Sequence, residues 1–221
     1  AKIVPESAGV ILEPIQGEGG IRVLDKAYLS AVRELCNEND LLLLFDEVQC
    51  GVGRSGTLFA HQQLDVTPDI LATAKGLGGG FPVGVCLATD TVATALTAGS
   101  HGSTFGGNPL AMAVANQVID TVSEPKFLAC VKQRSDQLRL GLEQLIAQYP
   151  NQLERVSGLG LMLGLKCVIN SADLIQRLQD NHLLVVKSGG NMLRLLPRLN
   201  VTEEEIVQCL QKFDQTLSSL K

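Results

Sequence analysis

The chain has 221 residues, 45% of them hydrophobic and 19% charged, with a formal net charge of −5 at pH 7. That length and apolar content suffice for one large domain or two small ones, and a mildly acidic chain without long runs of one sign excludes nucleic acid and anionic membrane as main partners. No apolar stretch approaches the roughly 20 residues of a membrane helix and no signal-peptide pattern opens the chain, so a cytoplasmic protein without membrane contact is expected.

In chain order, "AKIVPESAGVILEP" runs almost at once into an expected strand at 8–12. A loop at 13–22 leads to a helix at 25–38. The segment "LLLLFD" reads as a strand at 41–46 buried on both faces, followed by a glycine-rich loop at 50–57 and a short helix at 58–64. A strand at 69–73 places Lys75 just beyond its end. After a loop at 76–80 come a strand at 83–88, a helix at 90–97, a polar loop at 99–108 and a helix at 109–122. This alternation predicts an α/β domain built on a mixed, mostly parallel sheet with helices on both faces.

From about residue 125 the pattern changes. A long helix at 126–148 carries Leu138, Leu142, Leu145 and Ile146 on one face. Strands at 153–157 and 161–168, a helix at 171–180, strands at 183–187 and 192–196, and a helix at 202–219 follow. Thr202 and Glu205 have the spacing of a capping box. Residues 1–124 are read as one domain, or part of one, and 125–221 as a smaller α+β domain. The six cysteines form no C-x-x-C pair and the three histidines are dispersed. Reduced thiols are expected, and no metal site.

Ligands of open α/β sheets lie beyond the carboxyl ends of the strands. Polar residues gather at four such ends: Glu13, Gln16 and Glu18; Asp46, Glu47 and Gln49; Lys75; and Ser103, Thr104 and Asn108. A lysine just past a buried strand is partly desolvated, which frees a neutral amine able to form a Schiff base with an aldehyde. Glycines beside a lysine could instead cradle a phosphate, but here the lysine precedes them, unlike in a P-loop; a surface lysine at a strand end is the ordinary alternative for Lys75. A carboxylate at the exit of a dry strand needs a cation. The protonated ring nitrogen of a pyridine cofactor is one, and a lysine with an aspartate is the pairing used with pyridoxal phosphate. Capping a turn is the ordinary alternative for Asp46. Glu47 points the other way on a period of two and reads as structural. Taken singly, Arg194 could be a plain strand charge, Glu18 a turn residue, and Ser103 or Thr104 a cap for the helix at Pro109.

Four stretches in this order, "ILEPIQGEGG", "LLFDEVQCGVGRSG", "PDILATAKGLGGGFPVG" and "GSTFGGNPLAMAVA", resemble the class III (ornithine-type) pyridoxal-phosphate-dependent aminotransferases. The separation of Asp46 from Lys75, twenty-nine positions, suits that family. The resemblance implies a partial fold-type-I large domain over 1–124 and a small C-terminal domain over 125–221. It implies pyridoxal 5'-phosphate as cofactor, held on Lys75, with Asp46 at the ring nitrogen, Val48 on a ring face and Gln49 at the ring hydroxyl. Glu47 lies within that cofactor-binding stretch. Thr104 would donate to the phosphate of a neighbouring subunit's cofactor, so a homodimer with shared sites is implied. Ser103 would lie near substrate. Arg194 would grip the carboxylate of glutamate or 2-oxoglutarate, and Glu18 would pair with it when an ω-amine is bound.

N-acetylornithine is the expected amino donor, giving N-acetylglutamate 5-semialdehyde in arginine biosynthesis. Ornithine, succinylornithine and 4-aminobutyrate are the rival donors, and a non-catalytic sensing or oligomerisation module is the rival class. The family's N-terminal half has no counterpart in the sequence, so a fragment of a longer enzyme is expected, inactive or impaired by itself.

Overall fold

A computed structural model of the chain describes residues 3–220. It begins with strand β1 (Gly9–Leu12), a two-residue-per-strand hairpin of β2 (Ile15–Gln16) and β3 (Arg22–Val23), helix α1 (Lys26–Glu38) and strand β4 (Leu42–Asp46). The glycine-rich segment leads to the single turn α2 (His61–Leu64), strand β5 (Ile70–Thr73), a 3-10 turn at Lys75–Gly78 and strand β6 (Val85–Ala88). Helices α3 (Asp90–Ala93), α4 (Pro109–Val122) and α5 (Pro125–Gln148) follow. The remainder runs β7 (Leu153–Leu159), β8 (Met162–Cys167), α6 (Ser171–Asp180), β9 (Val186–Ser188), β10 (Met192–Leu195) and α7 (Glu203–Ser218).

The first sheet has the order β1-β4-β5-β6, with β1, β4 and β5 parallel and β6 antiparallel. This is the mixed, mostly parallel arrangement that the alternation of elements predicted. Helix α1 starts where Asp25 accepts from the backbone N–H groups of Ala27 and Tyr28, satisfying donors that the first turn leaves free. Its Leu29, Val32 and Cys36 pack on Leu43 and Phe45 of β4. Burial along β4 alternates: Leu43 and Phe45 are buried, Leu42, Leu44 and Asp46 half-buried. The expectation of burial on both faces of 41–46 therefore holds for one. On the other, Leu44 lies beside Ile11, which is 65% exposed. Asp46 pairs with Ala72 on β5, and Lys75 stands three residues beyond, so acid and amine leave the ends of adjacent parallel strands.

The second sheet, β7-β8-β10-β9, is antiparallel throughout. Helices α5, α6 and α7 close one face over Leu163, Leu165 and Leu193, with Phe213 of α7 in the same core. Gly141 lets α5 and α7 approach, because a Cβ there would lie 2.1 Å from Leu210 Cδ1. The capping box of Thr202 and Glu205 starts α7 as expected. The opposite face carries Gly164 and Arg194, directly paired across β8 and β10. That face meets the β2–β3 hairpin: Ile21 fills the space over Gly164, where a Cβ would come within 2.7 Å of it. Ile15, Ile21, Cys50 and Met162 form a small core joining the hairpin, the glycine-rich loop and this sheet.

Among the differences from expectation, three stand out. The hairpin lies inside the expected loop 13–22, since two-residue strands leave no periodicity. The strand expected at 183–187 runs 186–188, because His182 adopts φ +57° and Leu183 N–H caps α6 by donating to Leu178 O, a left-handed helix termination. The helix expected at 90–97 ends at Ala93 and buries none of its side chains.

Candidate active site

The hairpin turn, the segment after β4 and strand β10 deliver three side chains to one point. Arg194 Nη1 donates to Glu18 Oε1 at 2.6 Å and to Gln49 Oε1 at 2.9 Å. Gln49 Nε2 donates to the same Glu18 oxygen at 3.2 Å. Arg194 is 8% exposed, and its Nε is buried without a hydrogen-bond partner. A buried guanidinium with a free N–H is a donor awaiting an anion. The Arg194 hydrogen bond, then that of Gln49, hold the Glu18 carboxyl below its ordinary range, with Lys75 adding a smaller attraction. Gln49 is tightly placed, since a Cβ on Gly17 would lie 2.3 Å from its Oε1.

Arg194 and Gln49 border a cavity of about 170 Å³ whose other walls include Lys75, Val52, Arg54 and Leu199. Lys75 opens the 3-10 turn after β5 with φ +45°, a backbone conformation that costs a non-glycine residue energy and recurs at functional sites. Its side chain is exposed, so the expected partial desolvation is not found in this chain.

Asp46 is half-buried, and one oxygen accepts from Val48 N–H at 3.0 Å, which fixes the carboxylate and the half-buried Val48 relative to one another. No ion pair among the described residues includes Asp46 or Lys75. Glu47, expected in the cofactor-binding stretch, is engaged within the fold. It is 0% exposed, and its two oxygens accept from Ala60 N–H at 2.5 Å, His61 N–H at 2.9 Å and lie 3.0 Å from His61 Nδ1. Its own N–H donates to Ala72 O. The carboxylate and N–H of Glu47 are thus committed to holding α2 against β4 and β5, and its carbonyl accepts from Gly51 N–H.

Ser103 and Thr104 are exposed in the loop before α4 and do not border the cavity. Neither caps that helix: Asn108 does, accepting from Ala111 N–H. Arg54 was not singled out from the sequence. Its guanidinium donates to the carbonyls of Leu161 and Pro197 at 3.2 and 2.5 Å, tying the glycine-rich loop to the sheet that carries Arg194. Burial lowers it to about 10, which leaves it charged at neutral pH. A lone arginine in "GVGRSG" was the available signal. The buried Ser188, which holds the turn bearing Glu18, had none.

The donor set suits a pyridine aldehyde phosphate. A carboxylate without a cation partner stands at the end of β4, an unengaged primary amine beyond β5, and the Gln49 amide borders the same cavity as that amine. These are the groups needed by a ring nitrogen, an aldehyde carbon and a ring hydroxyl. The unpartnered Arg194 Nε suits a substrate carboxylate. Among the described residues no group of three or more His, Cys, Asp or Glu could hold a metal ion, and no helix is long and apolar enough to cross a membrane.

Comparison with known proteins places these features in context. The family described as aminotransferase class-III matches residues 1–217. The chain is 50% identical over 220 residues to acetylornithine aminotransferase of Brucella melitensis, covering all of this chain and 55% of that protein. It is 51% identical over 210 residues to the enzyme of that name from Mesorhizobium japonicum, covering 95% of this chain and 53% of the other. Among solved structures, N-acetylornithine aminotransferase from Stenotrophomonas maltophilia superposes with TM-score 0.88 at 39% identity, over 96% of this chain and 57% of that one. An ornithine aminotransferase from Plasmodium yoelii does so with TM-score 0.90 at 29% identity, over 97% and 58%. The chain spans about half the length of the curated relatives it matches.

Proposed function

The chain belongs to the class-III aminotransferases, a pyridoxal-phosphate-dependent family, and from that premise we propose that it carries the lysine-bearing part of a transaminase acting on N-acetylornithine. The δ-amino group would pass to 2-oxoglutarate, giving N-acetylglutamate 5-semialdehyde and glutamate for arginine biosynthesis. In this reading residues 1–124 are the C-terminal part of the cofactor-binding large domain, residues 125–221 are the small domain, and the working enzyme is a longer cytoplasmic homodimer. The observation that carries the proposal is the Arg194–Glu18–Gln49 network, whose Arg194 and Gln49 border one cavity with Lys75. The names of relatives about 50% identical support the donor.

Pyridoxal phosphate, when bound, supplies an aldehyde that receives the amino group and a ring that accommodates the electron pair left by the departing proton. Lys75 takes the proton from the amine-bearing carbon of the substrate and returns it, which a flexible primary amine can do once uncharged. Asp46 would keep a proton on the ring nitrogen by its negative charge. Val48 would pack on a ring face, Gln49 would donate to the ring hydroxyl, and Thr104 of a second subunit would donate to the phosphate, with Ser103 near substrate. Arg194 binds the carboxylate of glutamate or 2-oxoglutarate through a planar pair of donors. Glu18 would occupy Arg194 while the ω-amine substrate is bound and release it for glutamate, so one pocket serves two substrates.

The test adds pyridoxal phosphate, follows the visible absorbance of its lysine adduct, and reduces with borohydride. A label mapped to Lys75, lost in Lys75→Ala, is expected. Transamination with 2-oxoglutarate is then compared among N-acetylornithine, ornithine, succinylornithine and 4-aminobutyrate. A label on any other lysine would overturn the assignment, and preference for another donor would replace N-acetylornithine. The exposure of Lys75 favours a second reading, a binding module without turnover. A Lys75 label with no transamination, also after supplying the remaining half of a relative as a separate chain, would select it.

A further inference from the structure

The turn that carries Glu18 has little of its own to hold it in place. Gly17, Gly19 and Gly20 surround the residue, and glycine has more backbone freedom to lose than any other residue. The Glu18 side chain is 71% exposed, so burial does not fix it either. Nonetheless its carboxylate meets Arg194 at 2.6 Å.

The end of β9 supplies the missing constraint. Ser188 is 4% exposed. Its hydroxyl donates to Gly17 O at 2.8 Å, with Glu18 O at 3.3 Å, and accepts from Gly20 N–H at 3.1 Å. Beside it, Gly189 N–H donates to Glu18 O at 2.9 Å. Gly189 has no room for a side chain, because a Cβ would lie 2.9 Å from that same carbonyl and 3.3 Å from Gly19 C. On the far side, the Glu13 carboxylate accepts from Gly17 N–H at 2.9 Å. All three groups touched by the Ser188 hydroxyl belong to the segment bearing Glu18. Strand β9 also pairs with β10, with Ser188 opposite Met192 and Val186 opposite Arg194. One short strand pair therefore carries both the arginine and the hydroxyl that sets its counter-ion.

We propose that Ser188 is a positioning residue for the Glu18–Arg194 pair, and that through it the end of β9 sets how strongly an incoming carboxylate must compete for Arg194. The second half of this statement rests on the reading of Arg194 as a carboxylate binder. A turn pinned on both sides returns Glu18 to one place each time Arg194 is released. A loose turn spreads the carboxylate over many positions and leaves Arg194 more open to a dicarboxylate. Arg194 and Lys75 act on the Glu18 carboxylate, Glu13 accepts from Gly17 N–H and Arg22 pairs with Gln16 across the hairpin; substitution at Ser188 changes none of these residues.

The test uses the complete chain with and without Ser188→Ala. Carbon-13 NMR of labelled glutamate carboxyls follows Glu18, assigned by the signal lost in Glu18→Gln, and glutarate serves as a non-reacting dicarboxylate probe. Ser188→Ala is expected to move the Glu18 titration up toward the ordinary carboxylate range, to speed amide exchange at residues 17–20 and 189 about tenfold or more, and to tighten glutarate binding several-fold. Ser188→Thr keeps the hydroxyl and is expected to restore the Glu18 titration. If Ser188→Ala does not fold, Gly189→Ala displaces the same turn while leaving the hydroxyl in place, and the same rise in Glu18 is expected. A low Glu18 titration that neither substitution moves would overturn the positioning role while leaving Arg194 as a carboxylate binder. A Glu18 that responds to Ser188 while Arg194→Gln leaves glutarate binding unchanged would overturn the Arg194 reading alone.

Discussion

Glu47→Gln separates a structural carboxylate from a cofactor ligand. In the native chain both oxygens of Glu47 lie at 0% exposure and accept from Ala60 N–H and His61 N–H, with His61 Nδ1 at 3.0 Å. The amide keeps the shape but exchanges one acceptor for a donor. Either Ala60 or His61 N–H then faces an NH2 group, and the surviving hydrogen bond loses its charge assistance. A buried donor left unpaired costs about 1–3 kcal/mol, and the lost charge assistance about 1 more, for a total of about 2–4 kcal/mol. In a chain of this length about 1 kcal/mol moves Tm by about 2–4 °C, so a fall of about 5–15 °C is expected. Thermal unfolding by circular dichroism reads it, and pyridoxal-phosphate titration at a temperature where the variant is folded is expected to be unchanged. An unaltered Tm together with weakened cofactor binding would refute the reasoning and return Glu47 to the cofactor site.

Gly160→Ala is expected to cost about 2–5 kcal/mol, since φ is +56° and the Cβ would lie 2.3 Å from Ser55 C and 2.4 Å from Arg54 O, backbone atoms that cannot step aside. Gly99→Ala, at φ +87° with nothing within 4 Å, carries the backbone strain alone, about 1–2 kcal/mol, and equal losses of urea midpoint in the two variants would contradict the packing argument. Because Arg194 lowers the Glu18 carboxyl from 4.5, the pair is complete above that value and dissolves as the pH falls through the depressed one. The Arg194 Nη resonances are expected to lose exchange protection only below pH 4.5, and loss on raising the pH would reverse the sign. Thr202→Ala removes one half of the capping box on α7 and is expected to lower stability by about 1 kcal/mol, or Tm by about 2–4 °C, with no change in glutarate binding.

The long helices were legible because their signals are local. Asp25, Asn108, Asn170 and Thr202 each cap a helix whose apolar stripe begins within a turn. The mostly parallel sheet followed from the alternation of such helices with short apolar runs. The family resemblance named Lys75, Asp46, Gln49, Glu18 and Arg194 together, where each residue alone also admitted an ordinary reading. The direction of Glu47 followed from a period of two along β4, although the motif placed it beside the cofactor. The β2–β3 hairpin stayed hidden because its strands are too short to alternate. Whether Lys75 is desolvated or a surface lysine stayed open in the sequence, because a strand's sequence does not say what covers its end.

By itself, then, the sequence determined which segments are helix or strand, which faces are apolar, and which residue types are available for chemistry. Those properties depend on neighbours within a few positions along the chain. Tertiary structure alone decided that Arg194 meets Glu18 across 176 positions and Gln49 across 145, that Ser188 holds the turn between them, and that Arg54 ties the glycine-rich loop to Leu161 and Pro197. Each of these contacts depends on how two sheets and a hairpin dock. The packing of Ile15, Ile21, Cys50 and Met162 sets that docking, and no local pattern in the chain records it.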